Sequence, residues 1–137
     1  MSHLNVNVIA TPTRHLLPFR SADFATLTEA LDYAAQGDTG SNFYTGRGQI
    51  YASLTYRDLR LQSIELAHKL MGLGLSKGDR VALVAETNPE FIRFFYACQY
   101  AGLIPVALAA SVKVGAHCAY VAQLKQLLEA SDAEIGV

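Results

Sequence analysis

Across 137 residues, 51% apolar and 17% charged, the chain has the makeup of about one globular domain and not of a disordered tail. Eleven Lys and Arg stand against twelve Asp and Glu, spread along the sequence for a net charge of -1, which argues against the basic stripe of a nucleic-acid-binding protein. The start lacks the basic and apolar blocks of a signal peptide, no run approaches the roughly 18 apolar residues of a membrane span, and two cysteines without a CxxC fit reduced thiols, so a cytoplasmic location is expected.

Residues 1–25 carry Pro12 and Pro18 and no sustained period, which predicts an extended N-terminal arm ahead of an ordered unit over 26–137. The string Thr26-Leu27-Thr28-Glu29 has capping-box form. Leu27, Ala30, Leu31 and Ala34 then share a helical face, and Gly37 is placed to supply a left-handed stop. Phe43, Ile50, Tyr51 and Leu54 flank Gly46-Arg47-Gly48 and predict a β-hairpin. Thr55 and Asp58 open a second helix, with Leu59, Ser63, Leu66, Ala67 and Leu70 on one face and a Glu65–Lys69 pair elsewhere; Leu61 and Ile64 fall off that face.

Gly72 and Gly74 end this helix, Ser76 to Asp79 make a turn, and Val81 to Ala85 form a strand too apolar to face water. Asn88 caps a helix whose first position is Pro89 and which stops at Gly102. From Phe91 to Ala101 only Arg93 and Gln99 are strongly polar, so this helix is expected to be buried all round. Leu103 to Leu108 reads as a second buried strand, roughly Tyr120 to Ala130 as a helix, and Glu134 to Val137 as the beginning of a third strand.

The sum is an α/β fold: a three-layer-type parallel βαβαβ sheet with right-handed crossovers, preceded by a helix and a hairpin. Three strands cannot cover both sides of the apolar helix, and the sequence stops within a strand. Both features predict an incomplete N-terminal subdomain, expected in isolation to self-associate or to bind a hydrophobic dye.

Ligands in open α/β sheets gather beyond the carboxyl ends of the strands, which singles out Glu86-Thr87-Asn88 and Ala109 to Lys113. Neither bend contains the glycines that let a backbone approach a pyrophosphate, so capping by Asn88 and solvation of Glu86 is the favoured reading. Gly72 to Gly78 follows a helix and precedes a strand, the reverse of a phosphate cradle, and is read as a stop and turn. His117 and Cys118 are adjacent on one helix and so point about 100° apart; with Cys98 they lack a fourth metal partner. Tyr44, Tyr51 and Tyr56 could stack on a ligand but suit core packing better, while His3, His15 and His68 have no nucleophile at an interpretable spacing. The residues alone give an α/β unit with no catalytic set and no metal site.

Three strings carry a resemblance: TLTEALDYAAQGDTGSNFYTGRG, SLTYRDLRLQSIELAHKLMGLGLSKGDRVALVAETNPEFIRFFYACQYAGLIPVAL and AYVAQLKQLLEASDAEIGV. Together, over Thr26 to Val137, they resemble the start of an adenylate-forming ligase. The middle string is similar to the whole superfamily, whereas ALDYAAQGDTG, FFYACQYAG and AYVAQL look more like fatty-acyl-AMP ligases. The resemblance implies a parent enzyme that joins a fatty carboxylate to ATP with Mg²⁺, releasing pyrophosphate, and then passes the acyl group to the thiol of an acyl carrier protein. It implies that the family's phosphate loop, ribose-binding acid and C-terminal lysine lie beyond Val137, so that no catalytic, cofactor-binding or metal-binding residue falls within this chain and residues 1–137 alone are inactive. Where such ligases commonly place prolines after the second strand, this sequence has Ala107-Leu108-Ala109-Ala110. The alternatives are the same subdomain of an acyl-CoA synthetase and a stand-alone α/β binding or docking module.

Overall fold

A computed structural model describes residues 16–110 and 117–137, the side chains of 117–119 excepted. Of the predicted arm over 1–25, residues 1–15, with His3 and His15, lie outside the described residues. Residues 16–25 run without helix or strand beside helix α1, Leu27–Ala34, where the Tyr33 hydroxyl donates to the Pro18 carbonyl at 2.5 Å and the Arg20 guanidinium lies 4.0 Å over the Phe24 ring. Thr26 caps α1 by accepting the Glu29 amide at 3.1 Å, and the Glu29 carboxylate reaches back to the Ala25 amide at 2.9 Å, one residue earlier than the predicted box requires. The predicted left-handed stop at Gly37 is not formed. The helix ends on Ala35 in right-handed geometry, and the amides of Gln36 and Gly37 close i→i+3 turns onto Tyr33 and Ala34, which satisfies the last carbonyls without a positive φ.

Strands β1, Gly40–Tyr44, and β2, Ile50–Thr55, pair antiparallel, with Gly40 opposite Thr55 and Asn42 opposite Ser53. The turn closes through the Thr45 amide on the Gln49 carbonyl at 2.8 Å, with Gly48 at a φ of 78° that favours glycine. Phe43 and Leu54 point inward and are buried. No loop residue separates β2 from helix α2, Tyr56–Gly72, because Thr55 ends the strand and also caps the helix, accepting the Asp58 amide at 3.0 Å. The apolar face of α2 is buried at Leu59, Ser63, Ala67 and Leu70; Leu61 is left in solvent and Ile64 is half-buried. Gly74 and Gly78 take positive φ, and the Ser76 amide bonds the Asp79 carboxylate at 2.7 Å, the stop and turn read from the sequence.

The second sheet contains β3, Arg80–Ala85, β4, Ile104–Ala109, and β5, Ile135–Gly136, all parallel in the order β4-β3-β5. Helix α3, Pro89–Ala101, links β3 to β4, and α4, His117–Ser131, carries the chain back past β3 to β5. Right-handed crossovers, the general rule for parallel strands, would place the helices of two connections running in opposite directions on opposite faces of the sheet. Alternation along β3 agrees: Val81 and Leu83 enter a core with Ala97 and Cys98 of α3, whereas Ala82 and Val84 face Leu124 and Leu128 of α4.

Helix α3 differs from expectation in degree. No residue from Phe91 to Ala101 is fully exposed, yet only Ala97 and Cys98 are fully buried. It lies between two cores: Phe91, Phe94 and Phe95 pack with α2 and the parallel sheet, while Ile92, Tyr96 and Tyr100 pack with α1 and the hairpin. The layer that covers its second side is therefore the α1–hairpin unit. Strand β4 is not buried throughout, as its sequence predicts. Leu108 is covered but Ile104, the first residue of the strand and on the same face, is 46% exposed. Helix α4 starts at His117, ahead of the predicted Tyr120.

Candidate functional site

The carboxyl end of the central strand β3 runs into a tightly tied bend. The Glu86 amide bonds the Val84 carbonyl and the Asn88 amide bonds the Glu86 carbonyl, each at 2.9 Å. Asn88 Oδ1 caps α3 by accepting the Phe91 amide at 2.8 Å, and its Nδ2 donates to Glu86 Oε2 at 3.1 Å. A third tie comes from the hairpin. The Tyr51 hydroxyl donates to the Thr87 carbonyl at 2.8 Å from 36 residues upstream. Beside the bend lies a cleft of about 260 Å³ with Leu83, Phe91, Phe94 and Val137 on its apolar side and Glu86 and Glu90 on its rim. Glu90 is paired with Arg93 at 2.8 Å. This cleft is the described feature that meets the strand-end rule.

The other sequence candidates separate. Tyr44 is 55% exposed at the hairpin end, Tyr56 packs into the hairpin core, and Tyr51 combines the Thr87 bond with a tilted ring contact to Phe43, centroids 6.2 Å apart. Cys98 is sealed inside α3, where burial pushes its thiol up to about 11, so it is neither a nucleophile nor a ligand at neutral pH. The side chains of His117 and Cys118 and the residues 111–116 of the second predicted bend lie outside the described residues; Ala109 and Ala110 lead out of β4 without an exposed polar group. His68 is exposed on α2.

Among the described residues no three His, Cys, Asp or Glu side chains gather where a metal could sit. The bend Glu86–Asn88 has no glycine, and the side chain of Asn88 already occupies the N-terminus of α3. The Glu86–Asn88 bend thus does not fit a nucleotide phosphate, and no chemical step is derived through a nucleotide or its Mg²⁺.

A polar joint escaped the sequence reading. Asp32 Oδ1 on α1 accepts both Arg60 Nε of α2 and the Tyr100 hydroxyl of α3, each at 2.6 Å, tying three helices together beside the hairpin core. Burial pushes the Asp32 carboxyl up, but the bonds from Tyr100 and Arg60 together outweigh it and hold the group below the ordinary carboxylate range. Tyr100 is pushed up by burial and by its bond to Asp32. A carboxyl depressed in the fold adds stability above its unfolded pKa, and that stability is lost as pH falls through the folded value. With Asp32 44% exposed, solvent screens the pair, so Asp32→Asn is expected to cost about 0.5–1.5 kcal/mol near neutral pH. In urea titrations the gap between wild type and Asp32→Asn is expected to close as pH falls through and below the ordinary carboxylate range, because the depressed carboxyl is the last to take its proton in the fold.

Residues 31–136 match the family described as AMP-binding enzyme. The chain belongs to that family. It is 43% identical over 132 residues, 96% of its length, to a protein of Caulobacter vibrioides provisionally named an acyl-CoA synthetase. It is 30% identical over 83 residues to a fatty acid–[acyl-carrier-protein] ligase of Streptomyces coeruleorubidus, covering 59% of this chain and 15% of that protein. Among solved structures, one from a study of fatty acyl-adenylate ligases of E. coli and L. pneumophila superposes with a TM-score of 0.80 at 47% identity, covering 86% of this chain. The chain spans 23% of the length of the Caulobacter relative and 21% of that solved ligase chain. The fold expected from the residue patterns, an α/β unit with a parallel sheet after a helix and hairpin, is the one observed. No helix among the described residues is long and apolar enough to cross a membrane.

Proposed function

We propose that this chain is the N-terminal scaffold of a cytoplasmic ATP-dependent ligase that activates a fatty acid as its acyl-adenylate and then transfers the acyl group to an acyl carrier protein thiol. The observation that supports the fatty-acyl-AMP reading is the structural likeness to a fatty acyl-adenylate ligase at 47% identity. In this reading the ordered unit 26–137 braces the strand-end bend, while ATP and Mg²⁺ are held by the remainder of the ligase, its principal partner. No residue of 1–137 touches the reacting phosphate. The name of the Caulobacter relative favours a second acceptor, coenzyme A.

The test is fatty-acid-dependent ATP–pyrophosphate exchange. Residues 1–137 alone are expected to show none, and the same chain joined to the remaining part of the ligase is expected to exchange. Turnover by the 137-residue chain would overturn the scaffold assignment; an inactive joined ligase would overturn the fatty-acid assignment. Single-turnover transfer of the acyl group to holo acyl carrier protein or to coenzyme A then separates the two acceptors.

A further inference from the structure

The hairpin and the parallel sheet sit on different sides of α3. Ile92, Tyr96 and Tyr100 meet the hairpin side, whereas Phe91, Phe94, Phe95 and Cys98 meet the sheet side. Tyr51 reaches across this divide at the N-terminal end of α3. Its ring rests on Phe43 at 6.2 Å and its hydroxyl donates to the Thr87 carbonyl at 2.8 Å, although the residue as a whole is 50% exposed.

Thr87 is the residue on which such a bond has leverage. The carbonyls of Val84 and Glu86 are already used within the bend, so the backbone path from β3 into α3 is fixed on the inside. The Thr87 carbonyl is held from outside, by the hairpin. The next residue caps α3, and the first turn of α3 carries Glu90 and Phe91, which line the cleft of about 260 Å³. A shift of the bend therefore moves both the acidic rim and one apolar wall of that cleft.

We propose that Tyr51 is a positioning residue for acid binding: through Thr87 it holds the Glu86–Asn88 bend at the carboxyl end of β3 along the path taken by the fatty substrate. This rests on the ligase reading above. Tyr51 touches no reacting atom. It fixes the edge past which the apolar chain runs, where Leu83, Phe91 and Phe94 offer an apolar wall and Glu90 is already neutralised by Arg93. The half-exposed Tyr44 of the same hairpin has no such bond and serves as the control.

The closing experiment has two arms. In the 137-residue chain, hydrogen exchange of the amides of Asn88, Glu90 and Phe91 is compared between wild type and Tyr51→Phe, Pro89 having none. Loss of one hydrogen bond is expected to speed exchange there about fivefold, with Tyr44→Phe unchanged; equal rates in Tyr51→Phe and wild type overturn the brace. In the joined ligase, Tyr51→Phe is expected to raise the KM for a long-chain acid at least about threefold while kcat stays within about twofold. Unchanged KM, or a joint fall of kcat and Tm, overturns the positioning role. An inactive joined wild-type ligase sinks the ligase reading and the role that rests on it, while the exchange arm still reports the brace by itself.

Discussion

Replacing Leu83 by alanine is expected to cost about 2–5 kcal/mol, the range for emptying a well-packed leucine site. Leu83 lies at 2% exposure on the central strand, in the core that also takes Val81, Ala97, Cys98 and Leu103. Its neighbours cannot collapse into the gap at little cost. They belong to β3, to α3 and to the Gly102 turn, and α3 is capped at Asn88 and stopped at Gly102, which fixes its position along the sheet. A small domain holds only about 5–15 kcal/mol in total, so the variant loses a large share of its stability. Urea unfolding of the 137-residue chain reads the effect as a fall in midpoint with an unchanged slope. Leu61→Ala supplies the contrast: the residue is 57% exposed on α2, and its truncation is expected to change stability by less than about 0.5 kcal/mol.

The same contrast explains what could be read before any coordinates. Elements whose cause is local were legible. Thr26, Thr55 and Asn88 each announce a helix start and each accepts the amide three residues on, and the apolar run Val81 to Ala85 announces the strand that the topology then makes central. Gly37 misled because glycine permits a left-handed stop without requiring one, and two i→i+3 turns did the work instead. The exposure of Ile104, on the same strand and face as the buried Leu108, depends on which part of β4 the fold covers and not on the residue.

The candidate site was legible only in part for a related reason. The strand-end rule located the Glu86–Asn88 bend, and the capping role of Asn88 follows from Pro89 beside it. The ties that lend the bend its interest join residues 36 apart, and the Asp32 joint draws on partners 28 and 68 residues away. No periodicity carries such pairs. Tyr51 was noticed as a tyrosine in a strand, but its hydroxyl partner is a backbone carbonyl, which every residue possesses and which no sequence pattern marks.

Gly40 is a position where a single added methyl group should matter, and the reason is the missing loop between β2 and α2. A Cβ on Gly40 would overlap the Leu54 carbonyl oxygen and lie 2.7 Å from Thr55 Cα, closer than real Cβ atoms approach backbone. The chain crowds there because Thr55 must finish the strand pair with Gly40 and at once cap α2, while the Tyr56 amide bonds back to the Thr39 carbonyl at 3.0 Å. Backbone on both sides cannot rotate away as a flexible side chain could. Relief requires β1 and β2 to part at this end, which loosens Leu54 in the hairpin core and the cap of α2 together. Gly40→Ala is therefore expected to lose about 1–3 kcal/mol, the range for overpacking. Gly46→Ala, in the turn of the same hairpin, has open space around its Cβ and no positive φ, so it is expected to be neutral or to gain up to about 1 kcal/mol by stiffening the unfolded chain. Thermal and urea unfolding of the two variants side by side decide the matter: equal stabilities would mean that the close approach at Gly40 does not constrain the hairpin, and a deficit confined to Gly40→Ala would place the constraint at the strand-to-helix junction.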